Sequence, residues 1–193
     1  IAAGIGMVHQ HFMLVETFSV LENVMLGGEG GAFLAGGAAA ARARLVSLSR
    51  DYDLDVDPDA LISDLPVGAR QRVEILKALV KGARILILDE PTGVLTPAET
   101  DRLFDILRAL RERGVTIALI THKLREIMAI TDTVSVMRAG EMVAHRRTSG
   151  TSPEELAELM VGRKVLLRVD KTEAQPGAPV VSVSGLTIRD GSG

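Results

Sequence analysis

The segment Ile85-Leu86-Ile87-Leu88-Asp89-Glu90-Pro91-Thr92 constrains this chain more than any other. Four consecutive branched apolar residues offer no polar side to water, so they read as a strand buried on both faces, as in a parallel sheet. Arg84 bounds the run on one side; Asp89, Glu90 and Pro91 end it on the other. Open α/β sheets bind ligands at the carboxyl ends of their strands, and this strand delivers two adjacent carboxylates there. One acid can hold a divalent cation through water while the next polarises an attacking water, the pairing phosphoryl transfer needs. A lone Asp-Glu pair also fits a plain acidic turn, so its neighbours must decide.

The rest of the chain alternates apolar runs with helical periodicity. Ile5 to Val8 reads as a short strand ending at His9-Gln10. Ser19-Val20-Leu21-Glu22 has capping-box form and opens a short helix. Gly27 to Gly37 holds six glycines and reads as a surface loop, and Ala38 to Tyr52 as a helix. Asp53 to Asp64 is acidic and turn-rich. A helix is expected from Ala69 to Lys81, with Val73, Leu76 and Leu79 at helical spacing and Gly82 as its cap. Thr96-Pro97-Ala98-Glu99 combines an N-cap, Pro at the first helical position and Glu three residues on. That helix carries Leu103, Ile106, Leu107 and Leu110 on one face. Val115 to Ile120 reads as a second buried strand, then Thr121-His122 and a short helix over Leu124 to Ile130. Thr133 to Met137 and Glu141 to Ala144 flank Ala139-Gly140 as a hairpin, and Ser152-Pro153-Glu154-Glu155 starts a last capped helix. The alternation predicts an α/β domain with a mostly parallel sheet. Asp170 to Pro179 reads as a linker, and Val180 to Val183 and Leu186 to Ile188 as two further strands opening a second domain.

Composition narrows the function. A net charge of −3 gives no electrostatic reason to expect nucleic acid as a partner. The absence of cysteine removes disulfides and thiolate metal sites. No stretch approaches the roughly 20 apolar residues that span a bilayer, so a membrane role would run through a partner. Aromatic residues are only 3% of the chain, so Leu, Ile, Val, Ala and Met must build the core.

Upstream of the acidic pair lies Leu65-Pro66-Val67-Gly68-Ala69-Arg70-Gln71-Arg72-Val73-Glu74, and downstream Ile120-Thr121-His122-Lys123. With Gly6-Met7-Val8-His9-Gln10 before them, this order and spacing resembles the ATP-binding subunits of ABC transporters. Arg72 to Leu79, Asp89 to Glu99 and His9-Gln10-His11-Phe12 look most like the tandem ATPase subunits of bacterial simple-sugar and nucleoside importers. The resemblance covers essentially the whole chain. It implies a P-loop NTPase-type sheet with a small helical signature subdomain over about 17–82. Residues 6–12 would be the Q-loop and 85–123 the Walker B, D-loop and H-loop region of a first ATPase domain spanning 1–162. Residues 163–179 would close it and link to a second domain opening at 180–193. Asp89 would order Mg²⁺, Glu90 would be the general base for the attacking water, and His122 would contact the γ-phosphate. Gln10 would reach Mg²⁺ or the water, and Pro66, Val67, Gly68 and Ala69 would face nucleotide bound by the second domain. ATP and Mg²⁺ are the cofactors implied. The partners implied are transmembrane permease subunits, the second ATPase domain and, indirectly, a solute-binding protein, at the cytoplasmic face of a bacterial membrane.

Three features depart from the family pattern. Its phosphate-binding loop, Gly-x-x-x-x-Gly-Lys-Ser/Thr, occurs nowhere in the 193 residues. The expectation is that the loop precedes Ile1, that the chain is truncated at its N-terminal side, and that alone it does not hydrolyse ATP. The signature loop places Pro66 where the commonest form has Ser; proline offers neither hydroxyl nor N–H. Gly93-Val94-Leu95-Thr96 replaces a common Ser-x-Leu-Asp, and Thr96 cannot supply that charge. Phe12, Leu14, Phe18, Val20 and Leu26 mark the expected docking region for a membrane subunit. Two other readings compete. One is a soluble ABC protein acting on ribosomes or DNA, against which the short linker, the net acidity and the lack of Cys speak. The other is a catalytically silent interaction module.

Overall fold

A computed structural model describes residues 3–26, 37–163, 177–178 and 181–187. Its main sheet holds β1 (Ile5–Val8), β2 (Ile85–Asp89) and β3 (Thr116–Ile120), in that order and all parallel. Val8 lies beside Leu88, and Asp89 beside Ile120. The three carboxyl ends therefore stand in one row.

Helices connect and cover the strands. Between β1 and β2 come α1 (Val20–Met25), α2 (Gly37–Asp51) and α3 (Val67–Val80). Helix α4 (Pro97–Glu112) joins β2 to β3, the crossover that parallel strands require. Both expected capping boxes form: Ser19 with Glu22 at α1, and Thr96 with Glu99 at α4. Helix α3 begins two residues earlier than expected, with Pro66 as its N-cap and no side-chain cap bond. Gly6 lets β1 approach α3 closely, since a Cβ there would lie 2.8 Å from the Ala78 Cβ.

One face of the sheet and these helices enclose a single core. Val8, Leu86 and Leu88 pack with Leu45, Ile62, Val73, Leu76, Leu103, Leu107 and Leu110, so the helical segment and the sheet share their apolar contacts. Each such side chain contributes about 1.5–3 kcal/mol on burial. After β3 the chain forms α5 (Leu124–Ile130), the antiparallel pair β4 (Thr133–Arg138) and β5 (Glu141–Arg147), and α6 (Pro153–Val161). Ile127, Val136, Ala144 and Leu156 make a second, smaller core there. The left-handed Gly162 caps α6.

The structure corrects three expectations. Strands β2 and β3 are not buried on both faces: Leu86 and Leu88 are fully buried, but Ile85 is 38% and Ile120 49% exposed. Helices α3 and α4 pack on the face that carries Leu86 and Leu88. Val20, expected in a docking surface, is fully buried in the main core. Residues 181–187 carry no strand, and Val181, Val183 and Leu186 are exposed. A strand is held by its ladder partner, and these residues have none among those described. The glycine-rich loop lies outside the described residues except for Gly37, and so does the linker except for Gly177 and Ala178.

Candidate functional site

The row of strand ends gathers four of the predicted residues. Gln10 follows β1, Asp89 ends β2 with Glu90 next to it, and His122 follows β3. Glu90 has φ +46°, a left-handed backbone that non-glycine residues adopt at a cost. Its surroundings hold it there: its N–H donates to the Ile120 carbonyl at 2.9 Å, and its own carbonyl accepts from Gly93 at 3.1 Å. The turn carries the Glu90 side chain off the strand axis and towards the β3 end.

There it meets His122. His122 Nδ1 lies 2.7 Å from Glu90 Oε1, with the carboxylate 20% and the imidazole 71% exposed. An ionised carboxylate can only accept, so Nδ1 carries the proton of this bond. In the neutral ring Nε2 is then an acceptor facing solvent; in the protonated ring it donates as well. The pair can thus take a proton from a water and pass one between carboxylate and imidazole.

Asp89 makes no side-chain hydrogen bond or ion pair among the described residues and is half-buried at its strand end. Its free carboxylate oxygens, with the amide oxygen of Gln10 beside the same sheet edge, are hard donors of the kind Mg²⁺ selects. No cluster of three or more potential ligands exists among the described residues. The donor set fits an ion that takes one or two protein oxygens and completes its shell with water and phosphate.

Gln10 is exposed and lines an open groove of about 310 Å³ with Phe12, Leu14, Ile62, Val67 and Val94. The loop beyond it is anchored by groups that sequence reasoning missed. Buried Glu74 of α3 accepts from the Met13 N–H at 2.6 Å, and Lys77 donates to the Met13 carbonyl at 2.8 Å. Asn23 accepts from Val15 N–H at 2.7 Å and returns a bond to the Val15 carbonyl. Glu74 was visible only as part of a motif; its partner is 61 residues away.

Val67, Gly68 and Ala69 open α3 behind its N-cap Pro66, and none of the four hydrogen-bonds to Glu90 or His122 among the described residues. Pro66 and Val67 are exposed, Gly68 and Ala69 buried. The Glu99 carboxylate sits against Gly68, where a Cβ would come within 2.6 Å of its Oε1. The Thr96 cap holds that carboxyl below its usual range, with a smaller contribution from the Gly68 backbone. So the α4 cap also serves the uncapped end of α3.

Residues 1–93 match the family model described as ABC transporter. The chain is 48% identical over 190 residues to the nucleoside import ATP-binding protein NupA of Lactococcus lactis subsp. cremoris, a match covering 98% of this chain and 38% of that protein. It is 44% identical over 221 residues to the glucose import ATP-binding protein TsgD13 of Haloferax volcanii, covering all of this chain and 40% of that one. The chain therefore spans about two fifths of the length of these relatives. Among solved structures, cbiO1 from Clostridium perfringens, described as part of the ABC transporter complex cbiONQ, superposes with a TM-score of 0.65 at 28% identity. That match covers 83% of this chain and 62% of cbiO1.

Proposed function

We propose that residues 1–93, which match the ABC transporter model, belong to that family and that the chain is part of the energy-coupling ATPase of an importer for simple sugars or nucleosides. The observation that carries this reading is the Glu90–His122 pair at the carboxyl edge of a parallel sheet, beside an unpartnered Asp89.

Bound Mg²⁺ would neutralise phosphate charge, with Asp89 and Gln10 as its protein-side oxygens. Glu90 orients a water and accepts its proton. His122 holds the Glu90 carboxylate in one rotamer through Nδ1 and presents Nε2 towards the phosphoryl group. Protonated, the same ring donates to a phosphate oxygen as negative charge develops there. Strain at Glu90 and the short bond to His122 both favour a base preorganised before the nucleotide arrives.

Residues 1–162 are read as the larger part of a first ATPase domain, and 180–193 as the opening of a second. The first turn of α3 would face nucleotide held by that second domain. With Pro66 in place of a hydroxyl donor, the composite site there binds ATP but turns over weakly, while the site containing Glu90 fires. The groove beside Gln10, with exposed Met13 and Val15 near it, is the surface offered to a permease subunit at the cytoplasmic face of the membrane. No described helix is long and apolar enough to cross a membrane. The test is turnover in the tandem protein that carries this chain: Glu90→Gln abolishes most phosphate release, and Pro66→Ser raises it. Retention of most activity by Glu90→Gln would remove both the base assignment and the asymmetry.

A further inference from the structure

Thr92 and Glu126 are polar side chains as buried as the core, at 1% and 6% exposure, and the proposed chemistry uses neither. The Thr92 hydroxyl donates to Glu126 Oε1 and accepts from Lys123 Nζ at 2.9 Å. Lys123 Nζ also donates to the Thr92 carbonyl at 3.0 Å and lies 3.3 Å from Glu126 Oε1. The Thr121 hydroxyl donates to Glu126 Oε2 at 3.1 Å and accepts from the Lys123 N–H at 3.1 Å. Donors and acceptors match throughout. Each hydroxyl gives its one proton to Glu126 and receives one from Lys123, and both oxygens of Glu126 are engaged.

The placement of these groups is what gives the network meaning. Thr92 stands two residues after Glu90, and Thr121 and Lys123 flank His122 on either side. One carboxylate from α5 thus fastens both loops that carry the pair, and Lys123 bridges them a second time. If anchoring α5 were the only task, an apolar side chain would serve without the cost of burying a charge. A fully satisfied polar network instead fixes one geometry. We propose that Glu126, with Thr92 and Lys123, is the positioning centre that sets the Glu90–His122 hydrogen bond and hence the tautomer of His122. Its catalytic consequence rests on the reading of Glu90 and His122 as the water-activating pair; the positioning itself does not.

The test reads the His122 ring in the ¹⁵N-labelled 193-residue chain, by long-range correlation of its carbon-bound protons to both ring nitrogens above the ordinary histidine titration range. His122→Ala assigns the signals. The wild-type ring is expected as the Nδ1–H tautomer, shifting largely to Nε2–H in Glu90→Ala, which removes the acceptor. Glu126→Gln and Thr92→Val are expected to shift it the same way, and Thr92→Ser, which keeps the hydroxyl, to retain the wild-type pattern. If Glu90→Ala moves the ring but Glu126→Gln and Thr92→Val do not, the positioning proposal is overturned and the pair survives. If Thr92→Ser loses the pattern as fully as Thr92→Val, packing is the cause and the proposal also fails. If Glu90→Ala itself leaves the ring unchanged, the pair falls, and the proposed hydrolytic site with it.

Discussion

At the scale of single residues, the geometry of Glu90 carries most of the meaning. A left-handed backbone at a glutamate is stable only because its N–H and C=O are both bonded, and the result is a carboxylate aimed at His122. In the proposed tandem protein, His122→Ala is expected to lower phosphate release by about 10²–10³, the usual loss when a polar group on a developing oxyanion is removed. Steady-state kinetics at saturating ATP would check it; a change in KM alone would assign His122 to binding instead. The Asp-Glu pair was legible from its position after four branched apolar residues, and His122 from its place in an ordered set of motifs. Glu126 and Thr92 were not. A buried glutamate and a loop threonine carry no local pattern, and their function exists only once a loop and a helix 34 residues apart meet.

At the scale of elements, caps and periodicity made most boundaries readable. Thr96-Pro97-Ala98-Glu99 specified the start of α4 because each residue answers a particular unsatisfied group. The two-sided burial expected of β2 and β3 was misjudged because an apolar run reports what a strand can bury, whereas alternation along β2 reports what actually covers it. Leu107, fully inside the main core, gives a direct check: Leu107→Ala is expected to cost about 2–5 kcal/mol in denaturant unfolding. Part of the acid sensitivity belongs to the caps. Glu22 and Glu99 are both held below the usual glutamate range by bonds from Ser19 and Thr96. A depressed carboxyl favours the fold when ionised, so this contribution is complete above the ordinary glutamate range and is lost as the pH falls through the folded values. Thermal melts are expected to hold steady near neutrality and fall below that range, with a shallower fall in Glu99→Gln. An equally steep fall in that variant would remove Glu99 from the cause.

At the scale of the whole molecule, the described residues bring Asp89, Glu90 and His122, the groups proposed to act on water, to one edge of a parallel sheet. The phosphate-cradling sequence Gly-x-x-x-x-Gly-Lys-Ser/Thr is not among these 193 residues. The purified 193-residue chain is therefore expected to release no phosphate from ATP above background, with or without Mg²⁺. Measurable Mg²⁺-dependent turnover by it would mean that another group holds the nucleotide. The groove proposed for a permease subunit differs from the region expected in the sequence in one residue, Val20, which is buried in the core, while Met13 and Val15 are exposed. Glu90 is proposed as the base of the firing site. Single-turnover phosphate release by the proposed tandem protein, wild type against Glu90→Gln at saturating Mg²⁺-ATP, is the decisive measurement. A fall of about 10²–10⁴ in rate with nucleotide still bound is expected; a rate within a few-fold of wild type would overturn the assignment.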